Sequence, residues 1–233
     1  MLTPRTFIAL VVASTLPLGA SARPAAPDPV PQPDARSVAA LRAAAAAYRT
    51  WGRVDERPNI APDLCRAPTR YDYGQAAAIR LSTATGSPHG TKLYYLWTDQ
   101  RGAYLRLSAP KPPGAAGTDA ADLPVGTTIV KESFVPKPAP RDADAPPRTY
   151  RLMGVPDPID VVVTESGERL TPDRPSDLFI MTKLGDASTA GTDRGWIYGT
   201  VAPDGTVTSA GRVERCMGCH DVAPHDRLFG LAR

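Results

Sequence analysis

The chain has 233 residues and a formal net charge of +3, and it contains 26 prolines but only three cysteines and three histidines. A chain of this length can bury one proper hydrophobic core. Its charge is too small to indicate a nucleic-acid-binding protein, and no stripe of basic residues with interleaved aromatic residues occurs, so we expect no nucleic-acid partner.

Residues 1–22 have the features of a secretory signal peptide. Arg5 is basic, residues 7–12 are apolar, and the small residues 20–22 favour cleavage near Ala22. A proline and a glycine interrupt the apolar stretch, which is shorter than the roughly 20 residues of a membrane-spanning helix. A retained membrane anchor is the alternative, but we expect an exported, periplasmic protein without a membrane span.

A Pro-rich tether is predicted at residues 23–34, followed by a single domain at residues 35–233. Asp34 is a suitable N-cap for a helix that runs to about Trp51 and covers the core. One face of this helix carries Val38, Leu41, Ala45 and Tyr48. Cys65 follows in a loop, where it could pair between subunits or be a small buried residue.

The rest of the chain is predicted to be β-rich. Strands are indicated at residues 91–97, 127–134, 159–165, 178–184, 196–201 and 206–210. Residues 202–205 have turn chemistry, so the last two strands should form a hairpin that leads into a C-terminal helix. The predicted fold is α+β, with an antiparallel sheet of about five strands, an N-terminal helix and a C-terminal helix.

The last eighteen residues contain Cys216-Met217-Gly218-Cys219-His220, which is the attachment pattern of a c-type haem. One helical turn would bring both sulfurs to the vinyl groups of a porphyrin and the adjacent imidazole to the iron. Cys216 and Cys219 would therefore form thioethers, and His220 would be the proximal iron ligand. The C-terminal helix is thus predicted to bind one covalent haem c.

Three other interpretations of this motif compete. A structural zinc site would need a fourth ligand, from Cys65, His89, His225 or a carboxylate. A disulfide-exchange motif should open a helix after a strand in a βαβ unit. A plain structural disulfide would leave the adjacent histidine unexplained.

The sixth coordination position of the iron would have to be filled from upstream, by Met153, Met181, His89 or a lysine. Met217 lies inside the attachment loop and cannot turn back, and Met181 belongs to an apolar strand and is expected in the core. An open or weakly filled position is therefore favoured. Such a position is typical of haem proteins that bind or convert small ligands.

The order and spacing of these features resemble the cytochrome P-460 family over roughly residues 75–230. The resemblance rests on the segment VGTTIVKE at residues 125–132, the strand at 178–184, the segment GWIYG at 195–199, the hairpin, the CMGCH motif at 216–220 and the segment DRLFG at 226–230. The haem motif alone is shared by many proteins. Its pairing with the strand that contains Lys131 makes the resemblance specific.

The resemblance implies a small β-rich fold, commonly a homodimer, with a five-coordinate haem c. Founding members of the family oxidise hydroxylamine to nitrogen oxides, and their haem is cross-linked to a lysine that corresponds to Lys131. A sister group, cytochrome c-prime beta, binds nitric oxide or carbon monoxide without demonstrated turnover. The resemblance thus implies an oxidoreductase acting on hydroxylamine or nitric oxide with a periplasmic electron carrier, or alternatively a non-enzymatic gas-binding or electron-transfer cytochrome.

Lys131 can also be judged from its strand alone. Because side chains alternate along a strand, Lys131 should share a face with Ile129, whereas Glu132 should share the other face with Val130. Such a lysine is ordinarily a solvated edge charge or pairs with a carboxylate. If it faced a haem instead, burial would lower its pKa and make its amine nucleophilic.

Glu214 and Arg212 are the candidates for a distal acid–base role. They lie two and four residues upstream of Cys216, in the region where founding members of the family place a distal carboxylate. Three possibilities follow for this chain: Glu214 keeps the acidic role, another residue has taken it over, or a cation such as Arg212 replaces it. A charge on the surface of the helix is the alternative for Glu214.

Overall fold

A computed structural model describes residues 34–55, 58–61, 91–107, 123–139, 161–164 and 168–230. The predicted signal peptide and nearly all of the predicted tether lie outside the described residues, as do Cys65, His89 and Met153. Among the described residues, no helix is both long enough and apolar enough to span a membrane.

The described elements follow one another along the chain as a mixture of short helices and strands. The helices are α1 (Ala35–Ala47), α2 (Arg101–Leu107) and α3 (Glu214–His220), and a 3₁₀ turn at Tyr48–Thr50 extends α1. The strands are β1 (Gly52–Arg53), β2 (Asn59–Ile60), β3 (Leu93–Thr98), β4 (Thr128–Pro138), β5 (Val162–Val163), β6 (Arg169–Lys183), β7 (Trp196–Val201) and β8 (Val207–Gly211).

All of these strands form one antiparallel sheet with the order β1-β3-β4-β6-β7-β8, in which β2 also pairs with β3 and β5 with β6. The α+β, β-rich prediction is confirmed, but the described sheet has eight strands instead of about five, because three strands of only two residues each (β1, β2 and β5) also pair into it. The β7–β8 hairpin is confirmed as well. Its turn is closed by the hydrogen bonds from Gly205 N to Ala202 O and from Thr206 N to the Asp204 carboxylate, both within 2.9 Å.

The predicted N-terminal helix is confirmed, including its cap. The Asp34 carboxylate accepts hydrogen bonds from the Ser37 amide and hydroxyl, which satisfies a free N–H of the first turn. Leu41 is fully buried against the sheet. The helix can approach so closely because residue 199 is a glycine: a Cβ there would lie 2.0 Å from Leu41 Cδ1.

Several elements differ from the prediction. Strands β4 and β6 continue well past their predicted ends, to Pro138 and back to Arg169, although both extensions contain prolines. Register shifts near Phe134 and Val135 bend the β4–β6 pair, and proline is tolerated in strands mainly at such irregular places. Helix α2 and the strands β1 and β2 were not predicted, because seven residues and two residues each are too few to show a periodic pattern.

The two faces of the sheet are covered by different helices, and each covered face has its own hydrophobic core. On the α1 face, residues such as Val130, Ile180 and Ile197 pack against Leu41 and Tyr48 of the N-terminal helix. The α3 face is defined by Tyr94, Leu96, Ile129, Met181, Trp196 and Tyr198, together with the α2 and α3 residues that pack on them. Met181 is therefore a core residue, as predicted.

Candidate functional site

Helix α3 brings Cys216 and His220 of the predicted haem motif onto the α3 face of the sheet. It begins directly after the hairpin, and Cys216 and Met217 pack against the core cluster that contains Trp196 and Tyr198. The helical conformation predicted for the motif is confirmed. The helix does not follow a strand within a βαβ unit, so the structural context of a disulfide-exchange motif is absent from the described sheet.

The His220 ring is held in one orientation by a hydrogen bond to a backbone carbonyl and by two aromatic rings. Its Nδ1 lies 2.6 Å from the carbonyl oxygen of Arg227. Because a carbonyl can only accept, Nδ1 must carry the proton, and Nε2 keeps a free lone pair. The rings of Tyr198 and Phe229 lie 5.4 and 5.6 Å from the imidazole, centroid to centroid.

The protonation state of His220 suits a metal ligand. Burial lowers the pKa of His220 below its usual 6.5, and the hydrogen bond to the Arg227 carbonyl opposes this shift only in part. The ring is therefore neutral at pH 7, which is the form that binds metals. A proximal haem ligand has the same arrangement, with one nitrogen on the iron and the other donating to a carbonyl.

The two cysteines of the motif differ from each other. Cys216 has a free, half-buried thiol whose pKa is raised by burial, while the Arg215 side chain hydrogen-bonds to its sulfur. Cys219 is in a disulfide. A sulfur in a disulfide cannot also be in a thioether, so attachment of a haem at Cys219 requires that this disulfide be reduced first.

Lys131 lies on the same face as the haem motif. Strand β4 is internal to the sheet, between β3 and β6, so Lys131 is not an edge charge. Its Nζ lies 4.4 Å from the centroid of the Tyr94 ring and 5.4 Å from that of Phe179. The same amine is close enough to His220 and Cys216 to influence the protonation of both.

The surroundings of Lys131 give its ammonium group an unusually low pKa. Burial, and to a smaller extent the positive charge of Lys92, together lower the pKa of Lys131 to about 7, against an opposing contribution from Cys216. Lys92 Nζ lies 4.8 Å from the Phe179 centroid, so two ammonium groups share one aromatic ring. A pKa of about 7 corresponds to a substantial fraction of neutral amine at pH 7.

Glu214 and Arg212 are not brought together with Lys131. Both side chains are exposed to solvent. Neither forms an ion pair or a side-chain hydrogen bond in the part of the chain that the structure describes. Their location is that of surface charges at the start of α3, and it gives no support to a distal acid–base role.

Several residues of the site were not anticipated from the sequence. Phe179 lies directly opposite Lys131 in the β4–β6 pair, and Tyr94 of β3 lies diagonal to Lys131 in the β3–β4 pair. Only the register of the strands reveals these two contacts. Tyr198 could have been found by alternation, since it is two residues from Trp196 in the same strand. Asp193 was not singled out, and nothing in its loop sequence signals its contacts.

These residues fit a covalently bound haem in three respects: the free Nε2 of His220, the thiol of Cys216 and the apolar surroundings on the α3 face. The disulfide at Cys219 is the one feature that must change. Among the described residues, no group of three His, Cys, Asp or Glu side chains is arranged to hold a metal ion. No protein-family model matches the sequence, and no curated protein matches it at a significant level.

Proposed function

We propose that this chain is an exported monohaem c-type cytochrome of the P-460 type that oxidises hydroxylamine or processes nitric oxide. The observation that carries the proposal is the convergence of His220, Cys216 and Lys131 on one face of the sheet, with a neutral imidazole and a partly neutral amine. A surface lysine and a structural disulfide would not explain why these three residues lie together, or why the imidazole is neutral and the amine partly neutral.

The proposal assigns a role to each of the residues. Cys216 and Cys219 would attach the porphyrin, and Nε2 of His220 would bind the iron. A bound haem would supply a site for a small nitrogen ligand and a sink for electrons. Lys131, with a pKa of about 7, is suited to accept a proton from such a ligand at neutral pH.

The aromatic residues around Lys131 have a complementary role. Tyr94 is buried, and burial raises its pKa, so its hydroxyl stays protonated. Together with Phe179 it limits the access of water to the amine, which maintains the low pKa of Lys131. In founding members of the family the corresponding lysine is cross-linked to the haem, and a neutral amine is the nucleophilic form that such a bond requires.

One observation favours the alternative function, a gas-binding or electron-transfer cytochrome that resembles cytochrome c-prime beta. Glu214 and Arg212 are exposed, so neither is placed to assist proton removal beside Lys131. A haem protein with a pocket but without such a base would bind nitric oxide and release it unchanged.

The test is to express the full chain together with a haem-attachment system, in wild-type form and as Lys131→Met. We expect denatured wild-type protein to retain its pigment in acidic acetone, and the ferrous protein to show the absorption band from which the family takes its name. Lys131→Met should keep the pigment and lose that band. Pigment that is released from denatured wild-type protein would disprove covalent attachment.

Turnover separates the two functions. Addition of hydroxylamine and an artificial electron acceptor should reduce the acceptor if the protein is an oxidoreductase. A protein that binds nitric oxide reversibly and leaves the acceptor oxidised would instead be the non-enzymatic cytochrome. The Glu214→Gln and Arg212→Ala variants are matched controls, because both residues are exposed and should leave the rate unchanged.

A further inference from the structure

The turn that follows α3 has an unusual backbone. Asp226 and Arg227 have φ angles of 47° and 69°, in the left-handed region that residues other than glycine rarely adopt. The turn is closed by two hydrogen bonds between the backbones of His225 and Leu228, at 2.9 and 3.1 Å. Its geometry directs the Arg227 carbonyl oxygen to Nδ1 of His220 at 2.6 Å.

Side chains on both strained residues hold this turn against the sheet. Asp226 pairs with Nζ of Lys183 at 2.6 Å, and the guanidinium of Arg227 donates to the Asp193 carboxylate at 2.8 Å. Asp193 and Lys183 are both buried. Arg227 also pairs with Asp221, which is exposed. The buried pairs are the ones that can offset the backbone strain, since an exposed pair contributes little.

Asp193 is itself fixed to the start of β7. Its backbone exchanges hydrogen bonds with Trp196 in both directions, at 2.8 and 3.0 Å. Its second carboxylate oxygen accepts a hydrogen bond from the Tyr198 hydroxyl at 2.8 Å, and the Tyr198 ring in turn contacts His220. The Asp193 carboxylate is therefore connected to the imidazole by two chains of contacts, one through Arg227 and one through Tyr198.

We propose that Asp193 and Arg227 form a positioning pair for His220. The Asp193 carboxylate holds the guanidinium of Arg227, and with it the Arg227 carbonyl, where that carbonyl accepts the Nδ1 proton. The pair thereby selects the ring nitrogen that is free to bind iron. The inference rests on the proposed function insofar as it treats His220 as the iron ligand, but the tautomer of the ring can be measured without haem.

A strong hydrogen bond at Nδ1 makes the imidazole a better electron donor to a metal. Loosening that bond should make the ferric iron less stable relative to the ferrous iron. We therefore expect Asp193→Asn, which keeps the shape and removes the charge, to shift the ratio of ferrous to ferric iron at least tenfold at a fixed potential. For a one-electron couple this is a rise in midpoint potential of about 59 mV.

The experiment compares the haem-loaded wild type with Asp193→Asn, Arg227→Lys and Asp173→Asn. Asp173→Asn is the matched control, since it removes a carboxylate from an exposed ion pair with Lys137. Spectroelectrochemistry gives the midpoint potential, and resonance Raman spectroscopy of the ferrous protein gives the iron–histidine stretching frequency. We expect a higher potential and a lower frequency in Asp193→Asn and no change in Asp173→Asn.

The outcomes separate the inference from the proposed function. An unchanged potential and frequency in a folded, haem-loaded Asp193→Asn protein would overturn the positioning role, and Arg227→Lys provides the same test if Asp193→Asn does not fold. If the wild type takes up no haem, the proposed function fails. In that case the ¹⁵N NMR spectrum of the His220 ring decides: a pure Nδ1–H tautomer in the wild type and a mixture in the variant support the pair, and identical spectra refute it.

Discussion

Lys131 and Glu132 are consecutive residues of β4, and they lie on opposite faces of the sheet. On the α1 face, the Glu132 carboxylate accepts hydrogen bonds from the Tyr48 hydroxyl, Arg49 and the Trp97 indole, at 2.8 to 3.0 Å. On the α3 face, Lys131 lies over two aromatic rings and beside a second lysine. One charge is surrounded by complementary groups, and the other is in an environment that favours its neutral form.

The pKa values follow from this difference. Burial and the neighbouring Glu132 raise the pKa of Tyr48 to about 12, so its hydroxyl remains a donor and the cluster stays closed. The pKa of Lys131 falls to about 7, so its amine can gain or lose a proton under physiological conditions. A structural cluster minimises such changes, whereas a reactive site depends on them. The comparison is that of a fixed structural cluster on the α1 face with a titratable lysine on the α3 face, and it supports the proposal that the α3 face carries the chemistry.

The largest expected effect is the loss of haem from the α3 face when its ligand is removed. If His220 is the proximal ligand, as proposed, His220→Ala would leave the iron without it, so we expect no retained pigment after expression with the haem-attachment system. The far-ultraviolet circular dichroism should match that of haem-free wild type, because His220 is only half-buried at the end of α3. Covalent haem at the wild-type level in this variant would contradict the assignment of the α3 face.

A large effect on stability is expected at Glu132. Glu132→Ala would leave the buried Tyr48 hydroxyl and the Trp97 indole N–H without their acceptor, which should lower the free energy of unfolding by about 3–5 kcal/mol. Urea unfolding measures the change. The control is Asp173→Ala, which removes an exposed ion pair and should cost less than about 1 kcal/mol. Haem content per folded molecule should be unaltered, and a loss of haem would mean that the two faces are not separate.

The sequence was sufficient to predict most of the helices and strands on which the comparison of the two faces depends. The alternation of β4 placed Lys131 and Glu132 on opposite faces, the N-cap at Asp34 located α1, and the turn at 202–205 located the hairpin. These predictions depend on local periodicity and on turn chemistry, which each segment carries by itself.

The sequence could not reveal which side chains surround the two charges. Phe179 is 48 positions after Lys131, and only the register of β4 with β6 brings them opposite each other. The left-handed backbone of Arg227 has no local signal either, since arginine rarely adopts this conformation, and an aspartate such as Asp226 adopts it only occasionally. Long-range register and strained turns are set by tertiary packing, and for that reason the network around His220 required the structure.

A smaller effect, with a distinctive dependence on pH, is expected at Lys131. Because the folded-state pKa is near 7 and the unfolded value is near 10.5, the unfolded chain binds more protons between these two pH values. The stability of the wild type should therefore rise as the pH increases through this window. Below pH 7 both states are protonated, and the folded protein then bears the cost of holding the charged form of Lys131 partly away from water.

Lys131→Met removes that cost, so the haem-free variant should be more stable than haem-free wild type by about 1–3 kcal/mol at pH 6. The advantage should shrink as the pH approaches 10. Urea unfolding of both proteins at pH 6, 8 and 10 measures the difference, in which the titration of groups that do not interact with Lys131 cancels. A difference that stays constant with pH would show that the Lys131 amine is solvated like an ordinary lysine.

The smallest effects are expected from two tyrosines that make equivalent contacts on opposite faces. The Tyr48 hydroxyl donates to Glu132 and the Tyr198 hydroxyl donates to Asp193, both at 2.8 Å. Removing either hydroxyl should cost about 1–1.5 kcal/mol of unfolding free energy, since each carboxylate keeps other donors. Thermal or urea unfolding of Tyr48→Phe and Tyr198→Phe checks this near-equality.

The two variants should differ in the iron–histidine stretching frequency of the haem-loaded protein, although their stabilities should be similar. Tyr198 contacts both Asp193 and the His220 ring, so Tyr198→Phe should move the iron–histidine stretching frequency, whereas Tyr48→Phe lies on the α1 face and should leave it unchanged. Because the two substitutions remove the same group from the same kind of contact, a general loss of packing cannot account for a response in only one of them. An equal shift in both variants would show that the sheet transmits the change and that the functional division between its faces is wrong.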